Sequence, residues 1–486
     1  MLNRIIKYSC LLAFVGLVMA GCRKLDSINH DPTKSTTTEP PYLLTGAEKS
    51  TMDILYSSLQ NGYIGMHYAQ FWSGNTRVAD SQYSLDENNN GALWTTLYAA
   101  AHNLDLIRTL NADGANPAAQ NQNAIAGILK VWIMQILTDA YVNVPYTQAL
   151  DVTKYVTPAY DDAKTIYNQL TDSLTANINA LDASKPTFGD ADVIYKGDVN
   201  KWKTLGHSLM LRLAIRMADA DNAKAKSLIE ANYQGAMTSN SDNAEFAYLG
   251  ADPNRYPMDE TNRPIIDFYV STTLTDYMRE TSDPRLTIYA RPVEGLTTDT
   301  IYGMPYGMST TDPNRPTTAS YPGTKIYGAD MKGILMTYSE VAFTLAEAAA
   351  RGYTVGGDAA TYYASGVRAS MNYWGVADST ANAYLAQVPY MSGDWKNVIG
   401  TQKWLSLYPQ GFQAWFERIR LNFKKPGGAD LFIAPVSGSL DQHVTMVPYR
   451  LTYPIVESNS NSTNYAAAGS AIGGDNKGTK NWWITY

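Results

Sequence analysis

The sequence predicts a mainly α fold, in which tetratricopeptide-like helix pairs are combined with long loops and few short strands. Helical spacing of apolar residues recurs along much of the chain. The segment KWKTLGHSLMLRLAIRM (201–217) is apolar on two opposite sides, which is typical of a helix between two neighbouring layers. The segment SEVAFTLAEAAARGY (339–353) contains five alanines, whose small side chains let helices approach closely.

Apolar periodicity gives the order of the elements. The predicted helices span residues 47–59, 91–111, 117–140, 160–182, 198–219, 222–232, 333–352 and 356–374. Between 233 and 330 the chain is dense in Pro, Gly, Asn, Asp and Tyr, which favours long loops of the kind that often carry function. Near the end of the chain, Trp482 and Trp483 are predicted to anchor the terminus.

Two arginines in the helix over 198–219 are predicted to be partly buried. Arg212 and Arg216 lie one turn apart in that two-sided apolar segment. A buried guanidinium is costly unless a carboxylate neutralises it. We therefore expect each arginine to have an acidic partner from another element.

The N-terminus has the organisation of an exported lipoprotein. Arg4 and Lys7 precede an apolar run over 11–20, too short to span a bilayer but typical of a signal-peptide core. Ala-Gly-Cys follows, and in bacterial lipoproteins this pattern marks cleavage before a thiol that becomes acylated. The predicted organisation is a signal peptide over 1–21, lipidated Cys22 and a polar tether over 22–46, and one helical domain over 47–486. The alternative is an ordinary signal peptide in which Cys22 is incidental.

Composition narrows the classes of function. Cleavage would remove Arg4, Lys7 and Cys10, leaving 36 Lys and Arg against 45 Asp and Glu, a net charge of −9. An acidic exported chain is a poor partner for nucleic acid, because such binding depends on Lys and Arg at phosphates. One remaining thiol excludes an internal disulfide. The chain has 35 tyrosines against 10 phenylalanines. Because tyrosine combines an apolar ring with a polar hydroxyl, this bias favours partly solvated surfaces that bind polar, ring-shaped ligands.

No motif predicts a catalytic residue, a metal or a cofactor. The five histidines lack metal-ligand spacing, and nucleophile-elbow, Walker and dinucleotide motifs are absent. DENNNG (86–91) begins like a calcium loop, but Leu97 stands where a bidentate Glu is needed, so we interpret it as a helix-entry loop. A pair of carboxylates for glycoside hydrolysis would need only two acids close in space, and nothing in the sequence selects them.

Several phrases in order resemble the SusD/RagB family of nutrient-binding outer-membrane lipoproteins, in its SusD-like second form. The phrases are LDSINHDP, TDAYVNVPYTQAL, PAYDDAKTIYNQL, DVIYKGDVNKWKTLGHSLMLRLAIRM, SDPRL, MTYSEVAFTLAEAAARGY, GVRASMNYWG, IGTQKWLSLYPQGFQAWFERIR and VPYRLTYPIVE. In TDAYVNVPYTQAL, which resembles an Asp-x-Tyr-Gly-x-x-Pro-Tyr motif, Asn143 stands beside the position where Gly is usual. Motif residues on helices are interpreted as scaffold; they are Tyr141, Pro145, Tyr146, Trp202, Arg212, Arg216, Gln402, Lys403 and Trp404.

The resemblance implies a non-catalytic protein held by lipid on the outer membrane, usually facing outward. Such a protein caps a SusC-type TonB-dependent transporter, binds oligosaccharide and passes it to the barrel. The alternatives that stay open are a peptide or other oligomeric cargo, a lipoprotein glycoside hydrolase, and an adhesive surface protein without a small ligand. The sequence does not fix which leaflet holds the lipid.

The candidate ligand-binding residues follow from the chemistry of a sugar ring. A ring offers an apolar C–H face and a rim of hydroxyls, so its site needs aromatic faces beside amide or charged groups. Two loop stretches, QFWSGNTRVADSQY and IYGMPYG, supply such side chains. The predicted site residues are Trp72, Asn75, Arg77, Asp80, Tyr83, Tyr302 and Tyr306. Local packing is the competing interpretation for each of them.

Overall fold

Consecutive helices pack against one another through the first half of the chain. The structure is a computed structural model, and it describes residues 38–84, 86–259, 266–296 and 298–486. The predicted signal peptide, Cys22 and the tether as far as residue 37 lie outside the described residues. The helices are α1 Pro40–Leu55, α2 Glu87–Leu110, α3 Ala119–Tyr141, α4 Ala163–Ala180, α5 Val199–Arg216, α6 Asn222–Asn232, α7 Thr272–Glu280, α8 Leu286–Tyr289, α9 Tyr338–Ala350, α10 Ala359–Tyr373, α11 Asp378–Gln387, α12 Trp395–Ser406, α13 Gly411–Leu421, α14 Ile455–Ser460 and α15 Ser462–Ala471. Each helix from α1 to α5 contacts the next one, and α9 packs on α5, α10 and α12. The prediction of a mainly α fold is confirmed.

The strands are few and short. They are β1 Trp72–Gly74, β2 Val144–Pro145, β3 Tyr160–Asp161, β4 Ala244–Phe246, β5 Phe268–Val270 and β6 Gly333–Met336. They form three antiparallel pairs, β1 with β5, β2 with β3 and β4 with β6. The β1–β5 pair aligns Ser73 with Tyr269 and Gly74 with Phe268, which fixes two separate loop regions side by side.

Two predicted helix boundaries are wrong for local reasons. Helix α1 starts at Pro40, inside the segment expected to be tether, because proline is favoured in a first helical turn, where no intrahelical N–H bond is lost. The helix expected over 333–352 is divided into β6 and α9. Thr337 separates them, since its extended backbone caps α9 and its side chain accepts a hydrogen bond from the Glu340 N–H. Helices α7, α8 and α11 to α15 were not predicted.

Helix α5 lies in the middle of the core, as its two-sided apolar pattern predicted. Arg212 is 2% exposed and makes two bonds to Glu340 of α9, from Nε at 2.7 Å and from Nη2 at 2.6 Å. Arg216 is fully buried between Asp139 of α3, at 3.5 Å, and Glu417 of α13, at 3.1 Å. Both arginines therefore have the carboxylate partners that their burial requires.

Among the described residues, α3 is the one helix that is long and apolar enough to cross a membrane. However, 94% of its most apolar 18-residue stretch is buried inside the protein. The residues from Pro40 to Tyr486 form one compact unit around this core. At the C-terminus, Trp483 is fully buried and Trp482 is half-buried.

Candidate functional site

Three of the predicted site residues lie in the core. Trp72 is fully buried, donates from its indole nitrogen to the Tyr408 hydroxyl at 2.9 Å, and stacks on Phe268. Tyr83 and Tyr306 are fully buried as well, with ring centroids 6.1 Å apart. These three rings present no face to a ligand, so the structure corrects their assignment: their aromatic surface packs the core beneath the loops.

Arg77 and Asp80 remain together at the short helical turn that follows β1, where Arg77 is partly exposed and Asp80 is buried. The Arg77 Nε lies 2.9 Å from the Asp80 carboxylate, and its Nη2 lies 4.0 Å from that of Asp86. The guanidinium also covers the ring of Tyr63, 4.5 Å from its centroid. Burial raises the pKa of Asp80 to about 6, although the neighbouring Arg77 opposes that shift.

A polar cleft opens beside Arg77, and its volume falls in the range of roughly 300–1,000 Å³ in which proteins hold small organic ligands. Its volume is about 620 Å³. Its lining is rich in hydroxyl, amide and charged side chains; the lining residues are Thr76, Arg77, Val78, Ala79, Asp80, Gln82, Ser84, Asp86, Ser309 and Thr310. We call this feature the polar cleft.

Asn75 and Tyr302 belong to a second feature, which adjoins the polar cleft. The ring of Tyr321 stacks on that of Tyr269, with centroids 4.8 Å apart and planes 26° from parallel. Tyr302 packs against the same small cluster, and the guanidinium of Arg291 lies 5.3 Å from the centroid of Tyr321. We call Asn75, Tyr269, Arg291, Tyr302 and Tyr321 the tyrosine platform.

Backbone hydrogen bonds bring the platform together from three distant loops. The Val270 N–H donates to the Ser320 carbonyl at 2.9 Å, and the Ser320 N–H donates to the Tyr302 carbonyl at 2.9 Å. The Arg291 N–H donates to the Tyr321 carbonyl at 3.0 Å. The site is therefore held by paired backbone rather than by side chains alone, which favours a preformed surface.

The amide of Asn75 is fixed at the edge of the platform. Its Nδ2 donates to the Ile266 carbonyl at 2.9 Å, and its backbone N–H donates to the Asp267 carbonyl at 2.8 Å. Burial, together with the neighbouring Tyr269, raises the pKa of Tyr321 to about 12. The Tyr321 phenol therefore stays protonated at neutral pH and keeps its hydrogen-bonding hydroxyl.

The next residues along the chain, Thr76 and Arg77, line the polar cleft, so the platform and the cleft share one loop. Together they offer tyrosine rings, hydroxyls, two amides and two guanidinium groups. Among the described residues, no group of three or more His, Cys, Asp or Glu side chains is placed to hold a metal ion. The arrangement suits a polyhydroxylated ligand better than an ion.

Sequence reasoning missed three platform residues, Tyr269, Arg291 and Tyr321. Each lies in the stretch from 233 to 330, whose density of Tyr, Pro and Gly marked it as long loops. No spacing in the sequence connects Tyr269 with Tyr321, because their contact depends on the β1–β5 pair and on the bonds through Ser320.

Comparisons with known proteins agree with this architecture. Residues 32–454 match the SusD-like family model described as "Starch-binding associating with outer membrane". A solved chitin-binding protein is similar, with 29% identity, a TM-score of 0.81 and coverage of 92% of this chain and 100% of that one. A search of functionally curated proteins gives no match.

Two further solved structures share the fold. A SusD homologue from Bacteroides uniformis has 25% identity and a TM-score of 0.77, over 92% of this chain and 100% of that one. A chitin-binding SusD homologue from Flavobacterium johnsoniae has 23% identity and a TM-score of 0.78, over 91% and 98% of the two chains. The chain belongs to the SusD-like family of carbohydrate-binding proteins that associate with the outer membrane.

Proposed function

We propose that this protein is a lipid-anchored outer-membrane protein that captures oligosaccharides and delivers them to a SusC-type TonB-dependent transporter. The tyrosine platform is the observation that carries the proposal. The partly exposed rings of Tyr302 and Tyr321 supply apolar surface for the C–H face of a sugar, with the buried Tyr269 ring packed against Tyr321. Asn75 and Arg291 supply hydrogen-bonding groups for its hydroxyls. The polar cleft gives a longer chain of sugar rings room beyond the platform.

The charges in the polar cleft disfavour an anionic ligand. Arg77 is paired with Asp80 at 2.9 Å, and a second carboxylate of the lining, that of Asp86, lies 4.0 Å from the same guanidinium group. An anionic ligand would have to displace the Asp80 carboxylate from Arg77, which costs the existing pair. A neutral glycan leaves that pair intact.

Chitin oligosaccharides are the first probes to use. The similar solved protein at 29% identity is a chitin-binding protein, and so is the Flavobacterium johnsoniae homologue. N-acetyl groups add an amide donor and acceptor to each ring, which suits a site that contains Asn75 and tyrosine hydroxyls.

The ligand is tested by calorimetric titration of the mature lipidated protein in detergent with oligosaccharides of chitin, starch and cellulose, and with peptides. We expect one oligosaccharide class to bind. Tyr321→Ala should weaken that binding about tenfold, the effect of losing roughly one aromatic contact and its hydroxyl. Tyr42→Ala is the matched control, because Tyr42 is 74% exposed on α1, outside the site.

Three outcomes would contradict the proposal. Equal weakening by Tyr321→Ala and Tyr42→Ala would remove the platform from the site. Binding of peptides alone would retain the capture role but replace the cargo. Oligosaccharide fragments that accumulate with time, and that disappear in Asp80→Asn, would make the protein a glycoside hydrolase.

The anchor and the transporter need a separate test. Cys22 is the expected attachment point of the lipid. Cys22→Ala should abolish incorporation of a labelled fatty acid and release the protein from outer-membrane fractions. Affinity purification of the lipidated protein from outer membranes should recover a TonB-dependent barrel, and recovery of no barrel would argue against the delivery step.

A further inference from the structure

A second pocket lies outside the candidate site, between α7 and α12. Its volume is about 230 Å³. The walls come from the end of α7, from α10, from the segment that follows α11, from α12 and from the loop after α13. The lining residues are Tyr277, Glu280, Thr281, Tyr363, Gln387, Val388, Pro389, Met391, Val398, Thr401, Gln402, Lys425 and Pro426. We call it the α7–α12 pocket.

Buried hydrogen bonds hold the walls of this pocket in place. The Tyr363 hydroxyl donates to the Val388 carbonyl at 2.8 Å, and the Gln402 Nε2 donates to the Tyr384 hydroxyl at 2.8 Å. The Gln402 Oε1 accepts from Arg285, which Asp283 holds at 2.6 Å. Tyr363 and Gln402 are each 1% exposed. The pocket is therefore preformed, and a ligand would not have to order it.

Most hydrogen-bond donors in the buried wall are already used. Besides Tyr363 and Gln402, the Thr401 hydroxyl donates to the Asn397 carbonyl at 2.8 Å, and the Thr281 hydroxyl donates to the Tyr277 carbonyl at 2.9 Å. Hydroxyl oxygens that have donated their hydrogen still accept. The buried wall therefore mainly offers acceptors, and the exposed Gln387 amide adds donors at the mouth of the pocket.

The charge of the pocket is balanced. Its two ionised lining residues are Glu280 and Lys425, which pair with each other at 2.5 Å. An anion or a cation would have to break that pair, whereas a neutral ligand would not. Apolar surface completes the wall, and at the rim Met391 is 39% exposed. The pocket thus combines acceptors with an apolar face and no net charge.

We propose that the α7–α12 pocket is a second carbohydrate site, which takes a single neutral sugar ring. At about 230 Å³ it is smaller than the roughly 300–1,000 Å³ of pockets for drug-sized ligands, so it suits one ring rather than a chain. The hydroxyl groups of a sugar both donate to the acceptors of the wall and accept from the Gln387 amide, and the C–H face covers the apolar side. Helix α7 starts beside Tyr269 and ends at this pocket, about 12 Å further along its axis.

The test follows the Met391 methyl group by NMR in the mature lipidated protein, with its resonance assigned from Met391→Leu. The probes share one ring: glucose is neutral, glucuronate is an anion and glucosamine is a cation. We expect glucose to shift the Met391 resonance in a saturable way at millimolar concentration. Glucuronate and glucosamine should bind at least tenfold more weakly, because each opposes one member of the Glu280–Lys425 pair.

Two tryptophan substitutions test the position of the site. Gln387→Trp should fill the mouth of the pocket and abolish the shift. Ala386→Trp, at the neighbouring exposed position outside the lining, should leave the shift unchanged. The platform variant Tyr321→Ala should also leave it unchanged, which separates this proposal from the proposed function. No Met391 shift with glucose, or equal shifts with all three probes, would overturn the proposal whatever the platform binds.

Discussion

Glu48 is a buried carboxyl group that faces a second one, on Asp192. It is 2% exposed, and its Oε2 accepts a hydrogen bond from the Val193 N–H at 2.9 Å. Burial, and then the nearby Asp192, raise the pKa of Glu48 well above its ordinary value. The folded protein therefore holds a proton that the unfolded chain releases.

This proton makes stability depend on pH. Its contribution is complete below the ordinary pKa of a glutamate and is lost as the pH rises through the raised pKa of the folded state. Glu48→Gln imitates the protonated side chain. We expect the melting temperature of this variant to fall less than that of the parent protein toward alkaline pH, and to be the higher of the two there. Circular dichroism from pH 5 to pH 9 measures both melting temperatures.

Asp113→Asn is the control for Glu48→Gln, because it removes one exposed carboxylate without changing a buried one. It should leave the pH dependence of the parent protein in place. An unchanged pH dependence in Glu48→Gln would show that another group binds the proton.

At the scale of elements, close helix contacts depend on particular glycines. A Cβ on Gly206 of α5 would lie 2.5 Å from the Ile178 Cγ1 of α4, well inside van der Waals contact. Gly46 of α1, in contrast, has no neighbour within 4 Å of the same atom. The two positions separate the packing role of glycine from its intrinsic cost in a helix.

Alanine should have opposite effects at these two glycines. Gly206→Ala is expected to destabilise the protein by about 1–3 kcal/mol through overpacking against α4. Gly46→Ala should stabilise it by roughly 0.5–1 kcal/mol, because alanine loses less backbone entropy in a helix. Urea denaturation measures both free energies of unfolding. Stabilisation by both substitutions would mean that α4 and α5 can move apart at little cost.

Elements with strong local signals could be predicted from sequence, and elements defined by distant partners could not. The two-sided pattern of α5 placed it in the core and anticipated carboxylate partners for Arg212 and Arg216. The short strands have no such pattern, since β1 and β5 are three residues each and are far apart in the chain. This is why the strand β6 was predicted as the start of a helix.

The candidate site was predictable only in part, for the same reason. Asn75, Arg77 and Asp80 lie within a few residues of one another in the chain, so their proximity follows from the chain itself. The role of Trp72 could not be predicted, because a large ring can cover a ligand or fill a core, and only the packing of Phe268 against it decides. Tyr321 reaches the platform through the fold alone.

At the scale of the whole molecule, the C-terminal segment closes the core across several helices. The Trp483 indole nitrogen donates to Asp139 of α3 at 3.2 Å, and Arg216 of α5 lies 5.5 Å from its ring centroid. Arg216 in turn pairs with Glu417 of α13, and Arg420 joins Glu417 to Glu347 of α9. The last residues of the chain are thus connected to helices from every part of the fold.

Removing the Trp483 ring should therefore weaken the whole protein. Trp483→Ala is expected to cost about 3–5 kcal/mol, because it leaves a cavity and takes one hydrogen bond from the buried Asp139 carboxylate. The adjacent Trp482→Ala is the matched control, and its half-buried ring should cost less. Chemical denaturation followed by far-UV circular dichroism should show a single unfolding transition in both proteins. In Trp483→Ala the whole transition should move to lower denaturant concentration. An early transition confined to part of the signal would mean that the C-terminus stabilises only its immediate neighbours.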